Sequence, residues 1–227
     1  MGLFIYSGEG AMPLSLSGTL LNAADLTRTP WHETCSLLIM PGGRDRPYHA
    51  DLKGEGCRRI RDFVEQGGTY LGICAGAYFG AKRVEFDQGF PLEVSEEREL
   101  MFFHGAAVGP AYGKGTFDYH SQKGARAAKV KTSQGVFHTY YNGGCTFDGD
   151  FSSCRILARY ADLPDEPPAI LECRVGKGKA ILSGVHIETA AFSLDSSDPY
   201  LNPLIELLTL SEPMRNRFWE AVLGNSS

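Results

Sequence analysis

The sequence has no apolar run long enough to span a membrane, and no basic run beyond pairs such as Arg58-Arg59 and Lys177/Lys179. A transmembrane helix needs about 20 apolar residues, and a nucleic-acid surface needs clustered cations. Membrane and nucleic acid are therefore not expected as partners. The net charge of −5 over 227 residues comes from interspersed acids and bases. The apolar start Leu3-Phe4-Ile5-Tyr6 is too short for a signal peptide. Tyr6 also stands where an N-myristoylation motif needs Ser or Thr. Cysteine is sparse: six are scattered at positions 35, 57, 74, 145, 154 and 173, without a Cys-x-x-Cys pair or zinc-site spacing. With no export signal they read as reduced thiols of a cytoplasmic protein. No metal and no cofactor are expected.

What the chain does have is core. At 43% hydrophobic residues it can bury a sizeable interior, and without repeats, low-complexity tracts or a linker it reads as a single domain over 1–227. Residues 2–7 look like a first strand that runs into a Gly/Ser/Pro-containing segment. Ser36–Met40 is a continuous apolar run, as a strand buried on both faces requires, and it ends in Pro41-Gly42-Gly43. Residues 53–66 place Ile60, Phe63 and Val64 at helical spacing before Gly67-Gly68. A second buried strand and helix follow around Cys74. This strand–helix rhythm implies an α/β fold with a mostly parallel sheet and helices on both faces.

After about residue 90 the pattern changes to short strands between Gly-rich turns. They are expected over 100–108, 125–132, 135–141 and 154–160, with a hairpin over 169–175 and 180–185. Asp162–Pro168 reads as a surface loop and Glu96, Glu97 and Glu99 as an exposed charged face. The tail from Pro203 to Leu223 reads as one or two helices, with Pro213 starting the second.

Three elements at strand ends carry chemistry. In Gly72-Ile73-Cys74-Ala75-Gly76, small residues permit a sharp strand-to-helix turn that projects Cys74 and leaves helix-start amides unpaired. Those amides favour a thiolate and can hold an oxyanion. Alone, this pattern also suits a cysteine packed at a tight helix–sheet contact. His186-Ile187-Glu188 supplies a base and, two residues on, a carboxylate to orient it. His-x-Glu also suits metal binding, but no third ligand is evident. Gly42 and Gly43 let backbone amides turn into the crevice, so Gly43 and Ala75 become candidate oxyanion donors. An ordinary turn would need the same glycines. Arg44, Asp45 and Tyr48 follow this turn and could contact a charged end of a substrate or lie in a solvated loop. Tyr140, Tyr141 and Asn142 lie at a strand end before Gly143-Gly144 and could line a pocket, or Tyr140 and Tyr141 could simply pack.

The order Pro-Gly-Gly, Gly-x-Cys-x-Gly, His-x-Glu is similar to that of class I glutamine amidotransferases. It most resembles the amino-terminal domain of eukaryotic-type biotin–protein ligases and its free-standing bacterial relatives. The residues that carry the likeness are Leu38–Tyr48, Gly72–Phe79, Val84-Glu85-Phe86 and Tyr140–Gly144. The resemblance implies a three-layer, flavodoxin-like fold with an antiparallel β extension. It also implies Cys74 as nucleophile, His186 as base, Glu188 as its orienter, and Gly43 and Ala75 as oxyanion donors. Two departures stand out. Tyr78 takes the place where glutamine amidotransferases usually carry a Gln that shapes the glutamine pocket. Only about thirty residues separate the first strand from Ser36, little room for the usual helix and second strand. No ligase catalytic domain is present, so biotin transfer itself is not expected.

The resulting expectation is a cysteine-dependent amidase or amidotransferase-like enzyme acting on a small molecule, with an acceptor or ligase protein left open as a further partner. The alternative is a non-catalytic ligand-binding or regulatory module on the same fold, its link to biotin metabolism left open.

Overall fold

Side-chain burial alternates along the first strands and assigns each face of a sheet its own core. In β1 (Gly2–Tyr6), Phe4 and Tyr6 point to one core and Ile5 to another. In β3 (Cys35–Met40), Leu38 and Met40 join the first and Leu37 and Ile39 the second. In β4 (Thr69–Ile73) the split is Tyr70 against Leu71 and Ile73. The period of two is that of a pleated strand covered on both sides. The computed structural model describes residues 2–224; Met1 and residues 225–227 of the expected domain lie outside the described residues.

The narrow space before β3 still holds a strand and a helix. β2 (Thr19–Leu21) pairs parallel with β1. α1 (Ala23–Arg28) follows at once, started by a reciprocal cap in which Asn22 Oδ1 accepts from the Asp25 amide and Asp25 Oδ2 from the Asn22 amide. After β3 come α2 (Asp45–Leu52) and α3 (Glu55–Glu65), and after β4 the short α4 (Ala75–Gly80). The remaining strands are β5 (Ala81–Phe86), β6 (Val94–Glu97), β7 (Phe103–Gly109), β8 (Arg126–Thr132), β9 (Gly135–Tyr141), β10 (Thr146–Asp148), β11 (Cys154–Tyr160), β12 (Pro168–Val175) and β13 (Gly178–Ser183).

Nine strands form one sheet in the order β2-β1-β3-β4-β13-β12-β11-β8-β9. From β2 to β13 the pairs are parallel, and from β13 to β9 they are antiparallel. The antiparallel extension is thus continuous with the parallel half. The expected hairpin is the β12–β13 pair. A second, four-stranded sheet, β10-β7-β5-β6, packs Val84, Phe86, Val94, Phe103 and Phe147 into the Tyr6/Leu38/Tyr70 core. On the opposite face lies α5 (Asn202–Gly224), whose Phe218, Trp219 and Val222 close the second core.

Two expectations are corrected. Pro213 does not start a second helix but lies inside α5. A proline there forfeits one backbone hydrogen bond, yet Phe218, Trp219 and the buried Arg215 beyond it hold the second half against the sheet. The cysteines are not all reduced: Cys154 and Cys173 stand directly opposite each other on β11 and β12 and form a disulfide, while Cys35, Cys57, Cys74 and Cys145 are free. The pairing removes the uniform thiol pattern on which a cytoplasmic setting was expected. Among the described residues no helix is long and apolar enough to cross a membrane.

Candidate active site

β3, β4 and β13 are hydrogen-bonded neighbours running in one direction, so their carboxyl ends open on one crevice. Met40 pairs with Gly72 and Ile73 with Ser183. Gly42-Gly43, Cys74 and His186 therefore leave adjacent strands at one level.

Cys74 occupies the turn between β4 and α4 with φ 49° and ψ −102°, a conformation L-residues seldom adopt. Such a strained turn lifts the side chain off the sheet edge. It closes tightly: a Cβ on Gly76 would run into the Met40 carbonyl oxygen. The Gly76 amide is taken by Pro41 O and those of Ala77 and Tyr78 by Cys74 O. The Ala75 amide, first in the helix, has no preceding turn to supply an acceptor.

His186 is buried beside the sulfur. Its Nδ1–H donates to Glu188 Oε1 at 2.7 Å, and the ring shares the cavity wall with Cys74, whose Sγ donates to Asn142 O at 3.7 Å. Burial by itself pushes the imidazole down. The Glu188 carboxylate and Cys74 outweigh it and raise the pKa to about 10. Cys35 and Cys57, by contrast, are pushed up to about 12 chiefly by burial, and Cys145 also rises for the same reason.

A cavity of about 280 Å³ lies over Cys74. Gly43, Arg44, Asp45, Ala75, Tyr78, Tyr140, Asn142 and His186, all expected at the site, line it. Gly42 sits behind, against the His186 ring, and Glu188 is reached only through His186. Tyr48 is the exception among the expected contacts. It is fully buried on α2, and its hydroxyl donates to Gly42 O at 2.9 Å and Pro41 O at 3.2 Å. It braces the glycine turn from below and does not face the cavity. Asp45 is anchored by the buried Arg98, whose Nε donates to Asp45 Oδ2 at 2.8 Å. Burial nonetheless keeps the Asp45 carboxyl above its usual range. Arg98 also pairs with Glu96, so that glutamate belongs to a partly buried network while Glu97 and Glu99 stay exposed.

Sequence reasoning did not find the opposite wall. Val84, Phe86, Val94 and Phe117 supply an apolar side, and Tyr119 and Gln122 a polar one. Arg44 lies over the Tyr119 ring at 4.7 Å. Gln122 Oε1 accepts from both Tyr140 Oη and Asn142 Nδ2 at 2.9 Å. Val84, Phe86 and Val94 lie on β5 and β6, whereas Phe117, Tyr119 and Gln122 come from an irregular segment with no strand or helix signal, whose aromatic content alone hints at a packed role. Among the described residues no three His, Cys, Asp or Glu side chains group to hold a metal ion.

The family model for the amino-terminal region of biotin–protein ligases matches residues 1–226. The chain belongs to the biotin–protein ligase amino-terminal family. Members similar to it include an uncharacterized protein of Chlamydia muridarum (strain MoPn / Nigg), 43% identical over 79% of this chain and 71% of the relative. The biotin–protein ligase of Schizosaccharomyces pombe is 35% identical over 94% of this chain, but the match spans only 38% of that enzyme. Solved structures extend the likeness. A glutamine amidotransferase is 25% identical with a TM-score of 0.50, over 77% of this chain and 79% of that one. PurLQS from Thermotoga maritima superposes with a TM-score of 0.55 at 14% identity, over 94% and 100% of the chains. The chain thus has a glutamine amidotransferase-like fold.

Proposed function

We propose that the protein is a cysteine-dependent hydrolase or amidotransferase-like enzyme that cleaves a small amide through a covalent thioester. The observation that carries this reading is that Cys74 and His186 line one cavity, with the His186 ring hydrogen-bonded to the buried Glu188 carboxylate. Cys74 Sγ attacks the amide carbonyl, and the oxyanion forms between the amides of Gly43 and Ala75, both at the cavity wall. His186 returns a proton to the nitrogen as the C–N bond breaks. Water, deprotonated by His186, then releases the acid and restores the thiol. Glu188 keeps Nδ1 occupied so that Nε2 serves the reaction.

The cavity is at the small end for ligand sites, and buried Tyr78 fills part of the wall. Its hydroxyl donates to Gly143 O at 3.1 Å, and its ring packs edge-on against Phe86. A small-molecule amide suits this space, with Arg44 and Asp45 offering one charge of each sign. The yeast relative carries the region within a longer ligase, which supports a ligase-type protein as acceptor or partner of the product.

The test is twofold. Iodoacetamide should label Cys74 well before Cys35, Cys57 and Cys145, and incubation with a panel of amides should release ammonia or amine with a Cys74 acyl adduct visible by mass spectrometry. Cys74→Ser should abolish both. Equal labelling of all four thiols, together with no adduct from any amide, would leave a ligand-binding module as the better reading.

A further inference from the structure

β13 ends at Ser183, and the segment carrying His186 and Glu188 continues with no strand of its own. Its backbone is held from two sides. On β9, Thr139 Oγ1 donates to His186 O at 2.9 Å and Tyr140 O accepts from the His186 amide at 2.8 Å. On α5, Arg215 Nη1 donates to Ile187 O at 2.6 Å, and Glu212 Oε1 accepts from the Ala191 amide at 2.6 Å. The two α5 side chains are themselves joined, Arg215 Nη2 donating to Glu212 Oε2 at 2.7 Å.

Arg215 is only 4% exposed. Burying a guanidinium costs several kcal/mol unless its hydrogen bonds are well used, and the apolar docking of α5 is already supplied by Phe218, Trp219 and Val222. The arginine spends its two Nη groups on the peptide directly before Glu188, on Glu212, and on Asn216 Oδ1 at 2.7 Å, while its buried Nε has no partner among the described residues. Glu188, meanwhile, is poorly held by its own side chain. Oε1 meets His186 and, at 3.4 Å, Thr189 Oγ1, whereas Oε2 is buried with no partner among the described residues. A carboxylate with one good hydrogen bond takes its aim from its main chain, and that main chain is gripped on both sides by α5.

We propose that Arg215 and Glu212 form a clamp that positions Glu188, so that α5 sets the orientation of His186 without touching substrate. This rests on the cysteine-hydrolase reading above. The clamp acts through Glu188, so its loss and the loss of the carboxylate should not add.

The experiment measures Cys74 alkylation by iodoacetamide between pH 6 and 9, resolved by mass spectrometry, which needs no substrate. Glu188→Gln should slow alkylation at pH 7 at least tenfold. Arg215→Met and Glu212→Ala should each slow it at least fivefold and change the pH profile as Glu188→Gln does. Arg215→Lys, which can still reach Ile187 O, should recover part of the rate. The double variant Glu188→Gln/Arg215→Met should react no more slowly than Glu188→Gln. If near-UV circular dichroism shows Arg215→Met unfolded, Glu212→Ala carries the comparison, since the Glu212 side chain is 21% exposed. Wild-type rates in Glu212→Ala and Arg215→Met beside a slow Glu188→Gln would overturn the clamp and leave the triad standing. Additive losses in the double variant would also overturn it. A wild-type rate in Glu188→Gln would remove the triad and the clamp together.

Discussion

Gly42 lies so close to His186 that a Cβ on it would stand 2.7 Å from His186 Cε1, and 3.7 Å from Cys74 Cβ. The backbone angles at Gly42 are open to any residue, so space alone requires glycine here. The contact makes the glycine turn part of the wall that holds the imidazole in register with the sulfur.

Gly42→Ala should therefore displace the ring, which cannot yield freely while Nδ1 is bound to Glu188. Cys74 alkylation and amide turnover should fall on the order of 10²-fold or more, the usual range for losing a general base. Overpacking should cost about 1–3 kcal/mol of stability in urea unfolding. A variant that alkylates at the wild-type rate would show that the ring has room this contact denies it.

His186 makes stability depend on pH in a defined direction. Burial opposes its charge, but Glu188 and Cys74 raise the folded-state pKa from 6.5 to about 10. The folded chain then keeps a proton that the unfolded chain has released. The stabilisation is complete below pH 6.5, shrinks as pH rises, and is gone above about pH 10, with a slope of up to roughly 1.4 kcal/mol per pH unit. Urea unfolding of the wild type and His186→Gln at pH 6, 8 and 10 should show their difference narrowing steadily. A constant difference would mean that the ring is uncharged in the fold.

Tyr78→Phe should test how the cavity wall is held. It deletes the hydrogen bond to Gly143 O and leaves that carbonyl buried, while keeping the ring against Phe86. Unfolding free energy should drop by about 0.5–1.5 kcal/mol, with Cys74 alkylation within a few-fold of wild type. A loss of alkylation as deep as that of Glu188→Gln would move Tyr78 from wall to chemistry.

Much of this site was legible because it depends on local chemistry. Cys74, Gly43, Ala75 and His186 each sit where a buried strand ends, and strand ends are marked by apolar runs stopping at glycine. β9 and β11 also match the residues read from alternation and turn signals. What escaped depends on long-range register. Nothing near Cys154 or Cys173 marks them as partners until β11 is laid against β12. Arg98 looks like one more charge beside Glu96, Glu97 and Glu99, and only packing turns it inward to Asp45. Pro213 carries a genuine helix-start signal, overridden by the docking of the residues after it. Tyr48 looked exposed because it follows a turn, yet α2 begins at Asp45 and rolls it into the core.

The pairing of β4 with β13 has a consequence for the order in which the site assembles. Ile73 and Ser183 are neighbours in space, but all four strands of the second sheet lie between them in sequence. A ribosome making this chain releases the thiol long before it releases the imidazole. Cys74 thus waits through synthesis of β5 to β12, and meets His186 only once β13 slots between β4 and β12. A slip of one residue in that slotting would turn the β13 side chains to the other face and carry the following segment out of step with Cys74. The meeting of Cys74 with His186 is thereby a report that the central sheet has closed in the correct register.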